Sequence, residues 1–155
     1  MPNIYQGNMD GNGLKVGIAV SRFNTVITES LLKGAISRLI SFGVDDADID
    51  VVWVPGAFEL PQTLHIMEKT GNYDGVMALG CVIRGDTPHF DYVCNAAGSG
   101  ITRLSLSSET PVVFGVLTCD NFDQAQARAG VKSNKGIEAA DSLVELINAL
   151  KSFKS

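Results

Sequence analysis

The chain has 155 residues, room for one domain but not comfortably two, and enough to bury roughly two-thirds of the surface its unfolded form exposes. With 45% hydrophobic and 19% charged residues it reads as globular rather than disordered or fibrous. Twelve Lys+Arg against seventeen Asp+Glu give a net charge of −5, which argues against sequence-independent nucleic-acid binding, since that needs a basic face to displace counterions.

In chain order, the opening from Met1 to Leu14 is polar and glycine-rich, with no signal-peptide core. Within it Asn3–Gln6 is a candidate for an extra edge strand. Lys15–Val20 is the first apolar, β-rich run. A helical pattern follows: Ile27, Leu31, Leu32, Ala35, Ile36, Leu39 and Ile40 recur every three to four residues, Asn24 or Thr25 can cap the start, and Gly43 stops it. Ile49–Val54 is the second strand run. The second helix is expected over Leu60–Lys69, with Pro61 in its first turn and Gly71 beyond its end; His65 within it is read as structural. Gly75–Ile83 is the third strand run, and a helix from about Tyr92 to Leu106 follows, weakened by Gly98 and Gly100. Val112–Leu117 is the fourth strand. Gln124–Lys135 is short and cationic, and a last helix runs from Ile137 to about Lys151.

Each strand run is nearly continuous in apolar residues, as expected for strands covered on both faces. Strand–helix alternation repeated four times means right-handed crossovers: an α/β three-layer sandwich, with a four-stranded parallel sheet and residues 1–155 forming one domain. No apolar run approaches the roughly 20 residues of a membrane span. Cys81, Cys94 and Cys119 are odd in number and widely spaced, which suits neither a disulfide framework nor paired zinc ligands. Reduced thiols in a cytoplasmic protein are expected, with no metal.

In open parallel sheets ligands bind beyond the carboxyl ends of the strands. Here those ends carry Ser21-Arg22-Phe23-Asn24, Pro55-Gly56-Ala57-Phe58-Glu59, Arg84-Gly85-Asp86-Thr87-Pro88-His89 and Thr118-Cys119-Asp120-Asn121. Phe23 and Phe58 at adjacent strand ends could flank a flat heterocycle, although a lone Phe there more often packs. Gly85 and Thr87 could receive an anion at a helix start, while the Asp86 carboxylate would repel one, leaving only its N–H to help. His89 can move protons near neutral pH. Arg128 is either a solvated charge or a bidentate phosphate ligand. No dinucleotide fingerprint and no Walker A sequence occurs.

Together these segments resemble the lumazine synthases. The resemblance is carried by Ser21–Asn24, Trp53–Glu59, Gly80–Val93, Phe114–Thr118, and Arg128-Ala129-Gly130 with Asn134-Lys135-Gly136, in order over essentially the whole chain. It implies a cofactor-free condensation of 5-amino-6-(D-ribitylamino)uracil with 3,4-dihydroxy-2-butanone 4-phosphate. The products are 6,7-dimethyl-8-ribityllumazine, phosphate and water, in the penultimate step of riboflavin biosynthesis. By the same resemblance Phe23 and Asn24 meet the pyrimidine, and Ala57, Phe58 and Glu59 hold the ribityl chain and ring edge. Cys81, Val82, Ile83 and Phe114 line the uracil pocket, Phe114 from a neighbouring subunit. Asp86, Thr87 and Arg128 bind phosphate with Lys135 nearby, and His89 transfers protons. Partners would be these small molecules and further copies of the chain, sharing active sites in a homopentamer or an icosahedral shell. The segment Lys132-Ser133-Asn134-Lys135 is one residue shorter than the family's usual spacing, so Lys135's place is open. A flavodoxin-like or receiver-like binding module would use the same layers, but Ser21-Arg22-Phe23-Asn24 is neither an acidic cluster nor a Ser/Thr/Gly-rich phosphate loop. A shell-forming protein without catalysis is the remaining alternative.

Overall fold

The computed structural model describes residues 1–155. Its elements are β1 (Val16–Ser21), α1 (Thr25–Ser41), β2 (Ile49–Val54), α2 (Leu60–Lys69), β3 (Gly75–Ile83), α3 (His89–Ser107), β4 (Val112–Cys119), α4 (Phe122–Ala127) and α5 (Lys135–Lys154). All four strands pair in parallel, in the order β2-β1-β3-β4. Side chains alternate along the central strands. Val16, Ile18 and Val20 of β1 with Met77, Leu79 and Cys81 of β3 face α1 and α5, while Ala19, Val76 and Ala78 face α2 and α3. The result is a flavodoxin-like three-layer sandwich with one core on each side of the sheet. No helix is long and apolar enough to cross a membrane.

The strand runs expected to be covered on both faces differ in burial. β1 is buried throughout and β3 almost so, but β2 and β4 are edges of the sheet. β2 alternates half-buried and exposed residues, leaving Val52 and Trp53 on the surface. An apolar run alone does not distinguish a central strand from an edge.

Asn3–Gln6, expected as an extra edge strand, is no strand of this sheet. The opening segment instead lies along α5. The Tyr5 ring meets Phe153 edge-on at 5.3 Å, and Asn148 Nδ2 donates to the carbonyls of Asn8 and Asp10, each at 2.9 Å. A Cβ at Gly7 would sit 1.9 Å from the Glu145 carbonyl oxygen, so that close approach to α5 requires glycine. Side chains of α5, rather than a strand edge, receive this segment.

The helix ends follow their local chemistry. After α1, Gly43 takes φ +104°, its N–H donates to the Ile40 carbonyl at 2.9 Å, and Val44 N–H reaches the Leu39 carbonyl at 3.1 Å. This is a Schellman stop. α3 begins at His89 rather than near Tyr92, because Pro88 occupies the N-cap and lacks only an N–H the helix would leave free. Gly100 does not interrupt α3. A Cβ there would lie 2.7 Å from Pro61 Cβ, so glycine lets α3 close on α2. α5 starts two residues before its expected place, where Asn134 Oδ1 accepts from Gly136 N–H at 2.8 Å and Ile137 N–H at 3.2 Å. α4, too short to show apolar periodicity, overlaps the start of the cationic Gln124–Lys135 segment; Asn121 Oδ1 caps it through Gln124 N–H at 2.9 Å.

Candidate functional site

The order β2-β1-β3-β4 makes the crevice between β1 and β3 the switch point, where the chain leaves β1 in one direction and later builds in the other. A cavity of about 480 Å³ opens there. Phe23 and Asn24 enter it from the loop after β1; Ala57, Phe58 and Glu59 from the single helical turn after β2; Cys81, Val82 and Ile83 from the end of β3; and His89 from the first position of α3. Nine of the residues singled out from sequence therefore meet in one place.

Backbone pairing explains why Phe23 reaches it. Arg22 N–H donates to the Val54 carbonyl at 2.7 Å and Phe23 N–H to that of Pro55 at 2.9 Å, so the loop after β1 keeps following the continuation of β2. The Phe23 ring then lies on Gly56, where a Cβ would come within 2.8 Å of Phe23 Cδ2. The Phe23 and Phe58 rings stay mostly uncovered, 57% and 63% exposed, leaving aromatic surface for a planar guest.

Asn24 was expected as a helix cap or a ligand group. It stands at the N-cap of α1 and lines the cavity, but with a left-handed backbone, φ 61° and ψ 48°, it makes no side-chain cap and donates from Nδ2 to the Cys81 carbonyl at 3.0 Å. That bond ties the loop after β1 to the end of β3 across the mouth of the crevice. Glu59 is fixed by its own turn: Oε1 accepts from Gly56 N–H at 2.9 Å, which leaves Oε2 for other donors. Cys81 is buried, and this burial, with the nearby Cys119 second, pushes its thiol up to about 12. At neutral pH it is a small neutral side chain rather than a nucleophile.

Asp86 and Thr87 are exposed in the turn before α3 and do not line the cavity. Thr87 Oγ1 accepts from His89 N–H at 3.4 Å, where the turn enters the helix. Tyr92 and Val93 line the cavity and were missed. Tyr92 lies three residues after His89, on the same side of the helix, and a helix start placed at His89 would have revealed it.

Phe114, Arg128 and Lys135 lie elsewhere in the chain. Phe114 pairs with Ala78 in the β3–β4 ladder, three residues before Cys81, which at about 3.3 Å per residue places it some 10 Å down the sheet from the cavity wall. It borders a separate groove of about 810 Å³ along α3. Arg128 and Lys135 share a third cleft of about 540 Å³ with Thr118 and Cys119. A tight turn brings those two cations together: Ala129 bridges Asn134 antiparallel, and Lys135 N–H donates to the Arg128 carbonyl at 2.8 Å. The shortened segment thus leaves Lys135 beside Arg128. None of the three lines the crevice of its own chain: Phe114 lies on the edge strand β4, and Arg128 and Lys135 stand beside its carboxyl end, one strand over from Val82 and Ile83.

The crevice can hold a flat heterocycle against apolar and aromatic walls, bind hydroxyls at a fixed carboxylate, and exchange protons at an imidazole. Its own walls supply no cation for an anionic second substrate.

Comparison with known proteins bears on this arrangement. Residues 13–151 match the family model of 6,7-dimethyl-8-ribityllumazine synthase. The chain is also 54% identical, over 150 residues, to the 6,7-dimethyl-8-ribityllumazine synthase of Lactiplantibacillus plantarum (strain ATCC BAA-793 / NCIMB 8826 / WCFS1), an alignment spanning 96% of this chain and 94% of that protein.

Proposed function

The chain belongs to the 6,7-dimethyl-8-ribityllumazine synthase family, and from that premise we propose how its own residues perform the reaction. The enzyme is a transferase of riboflavin biosynthesis. It condenses 5-amino-6-(D-ribitylamino)uracil with 3,4-dihydroxy-2-butanone 4-phosphate to give 6,7-dimethyl-8-ribityllumazine, phosphate and water. A flavodoxin-like module without catalysis is not favoured.

In the proposed arrangement the uracil ring enters the crevice against Phe23 and the end of β3, with Asn24 and Cys81–Ile83 at its edge. The ribityl hydroxyls run along Ala57 and Phe58 to the free oxygen of Glu59. The observation that carries this reading is the meeting of those residues with His89 in one cavity at the switch point. The amine attacks the ketone and water leaves to form an imine; phosphate is then eliminated, and ring closure releases a second water. Each step moves protons, which His89 gives and takes at the cavity rim. Holding two reactive partners together supplies most of the acceleration. Arg128 grips the leaving phosphate, with Lys135 beside it and the Asp86–Thr87 turn facing it.

That Phe114, Arg128 and Lys135 do not line the crevice of their own chain, which holds no other cation, supports a shared site. We read residues 1–155 as one unit of a cytoplasmic homopentamer, in which the β4 edge of one copy, with Phe114, Arg128 and Lys135, completes the crevice of the next. A heterologous contact of this kind closes into a ring, and rings can pack further into an icosahedral shell. The test is to mix purified protein with both substrates and follow lumazine fluorescence. Formation well above the spontaneous rate is expected, and no acceleration would overturn the assignment.

A further inference from the structure

We propose that Arg84 is a positioning residue of this reaction: acting through Asp91 and Asp120, it holds the turn that carries Asp86, Thr87 and His89 in fixed relation to the end of β4. The inference rests on the reading that this turn and His89 serve the condensation.

Arg84 is the first residue beyond β3, and its N–H donates to the Cys119 carbonyl at 2.8 Å, extending the β3–β4 pairing by one step. Its side chain makes three different contacts. Nε donates to Asp120 Oδ1 at 3.0 Å, at the end of β4. Nη1 lies 3.5 Å from Asp91 Oδ1, in the first turn of α3 and two residues after His89. The guanidinium carbon stands 4.4 Å from the centre of the Phe90 ring, which is itself buried next to His89. One planar group thus spans both ends of the Gly85–Pro88 turn while its face rests on an anchored ring. A lysine has no fork to divide between two carboxylates and no plane to stack.

These contacts argue against Arg84 as a direct phosphate ligand. Its donors already face two carboxylates, and the hydrogen bond to Asp120, before the weaker influence of Asp91, raises its pKa above the ordinary arginine value. Each ion pair is exposed and adds little to stability alone. What the cluster provides is geometry and a reduced negative charge. The rim that a phosphate dianion must cross carries Asp86, Asp91 and Asp120, and Arg84, shared between the last two, offsets one of their charges.

The test is steady-state kinetics, with each substrate varied in turn, for the wild type, Arg84→Met, Arg84→Lys, the Asp91→Asn/Asp120→Asn double variant, and the triple variant adding Arg84→Met. Arg84→Met should lower kcat/KM for the phosphate substrate about tenfold, as expected for a misplaced catalytic turn, while KM for the ribitylaminouracil moves by less than about twofold. Arg84→Lys should recover only part of the loss. With both carboxylates already removed, Arg84→Met should cost less than about twofold more, because its partners are gone. Equal rises in KM for the two substrates, an undiminished effect in the background lacking both carboxylates, or no effect would each overturn the proposal. Should Arg84→Met fail to fold, Arg84→Lys and the double variant carry the same test: a loss selective for the phosphate substrate supports the proposal, and its absence overturns it. A wild type that fails to accelerate the condensation removes the functional reading and this inference together. A wild type that turns over without the selective loss in the variants removes the inference alone.

Discussion

His89 and Arg128 have separate tasks in the proposed mechanism, and single substitutions separate them. His89→Ala should lower kcat by about 10²-fold, the low end for general acid–base groups, because an amine and a ketone condense readily once held together. Affinity for a nonreactive product analogue, measured by titration, should hardly change. Arg128→Ala should instead raise KM for the phosphate substrate about 10- to 150-fold, the cost of losing hydrogen bonds to a charged group. KM for the ribitylaminouracil should stay nearly constant, and Arg128→Lys should restore only part of the loss. Lys132, exposed at the turn between Arg128 and Lys135, is the control, and Lys132→Ala should change neither constant. Unaltered kinetics in Arg128→Ala would make that guanidinium a surface charge. At this scale strand ends brought Phe23 and Phe58 to one crevice, although the sequence left packing as the commoner role of a lone Phe. Polar residues with several uses were harder to read. Asn24 suited a cap or a ligand equally well, and its left-handed backbone and bond to the Cys81 carbonyl depend on a strand distant in the chain.

Between elements, the hydroxyl of Tyr73 donates to Asp50 Oδ2 at 2.6 Å, linking the loop before β3 to the start of β2. Burial, then this bond and the Asp50 charge, push the Tyr73 phenol up to about 12 from its ordinary 10. The neutral phenol is the form the fold favours. Its contribution to stability is therefore complete below pH 10 and lost as pH rises from 10 towards 12. Ultraviolet titration should show one of the three tyrosines ionising late, and Tyr73→Phe should abolish that late step. The same scale explains what periodicity disclosed. β2, α2 and β3 begin and end where the residues imply, because Pro61, Gly71 and the flanking turns mark them sharply. The start of α3 was misplaced by the polar Asp86-Thr87-Pro88 run, hiding Tyr92 from the site. The opening segment was misread because its partner, α5, lies at the opposite end of the sequence.

For the molecule as a whole, the decisive feature is that the crevice is lined by no lysine or arginine while the cleft with Arg128 and Lys135 opens separately beside the end of β4. A pocket completed by Phe114 and Arg128 of the next copy cannot work in a lone chain. Sedimentation at assay concentration should therefore find the activity in a pentamer or a multiple of it, and active monomers would contradict the shared site. Composition says nothing of such an arrangement, since it carries no positions. The edge strand β2 adds a practical consequence. The only tryptophan, Trp53, lies on it, 44% exposed, one residue before Val54 leads into the turn that walls the crevice. In the proposed ring, a contact reaching from the crevice onto this edge would cover the indole, and no second indole contributes background emission. The molecule carries its own optical reporter: dilution that separates the copies would wet this indole and move its emission to longer wavelength, so the association constant could be read without a label.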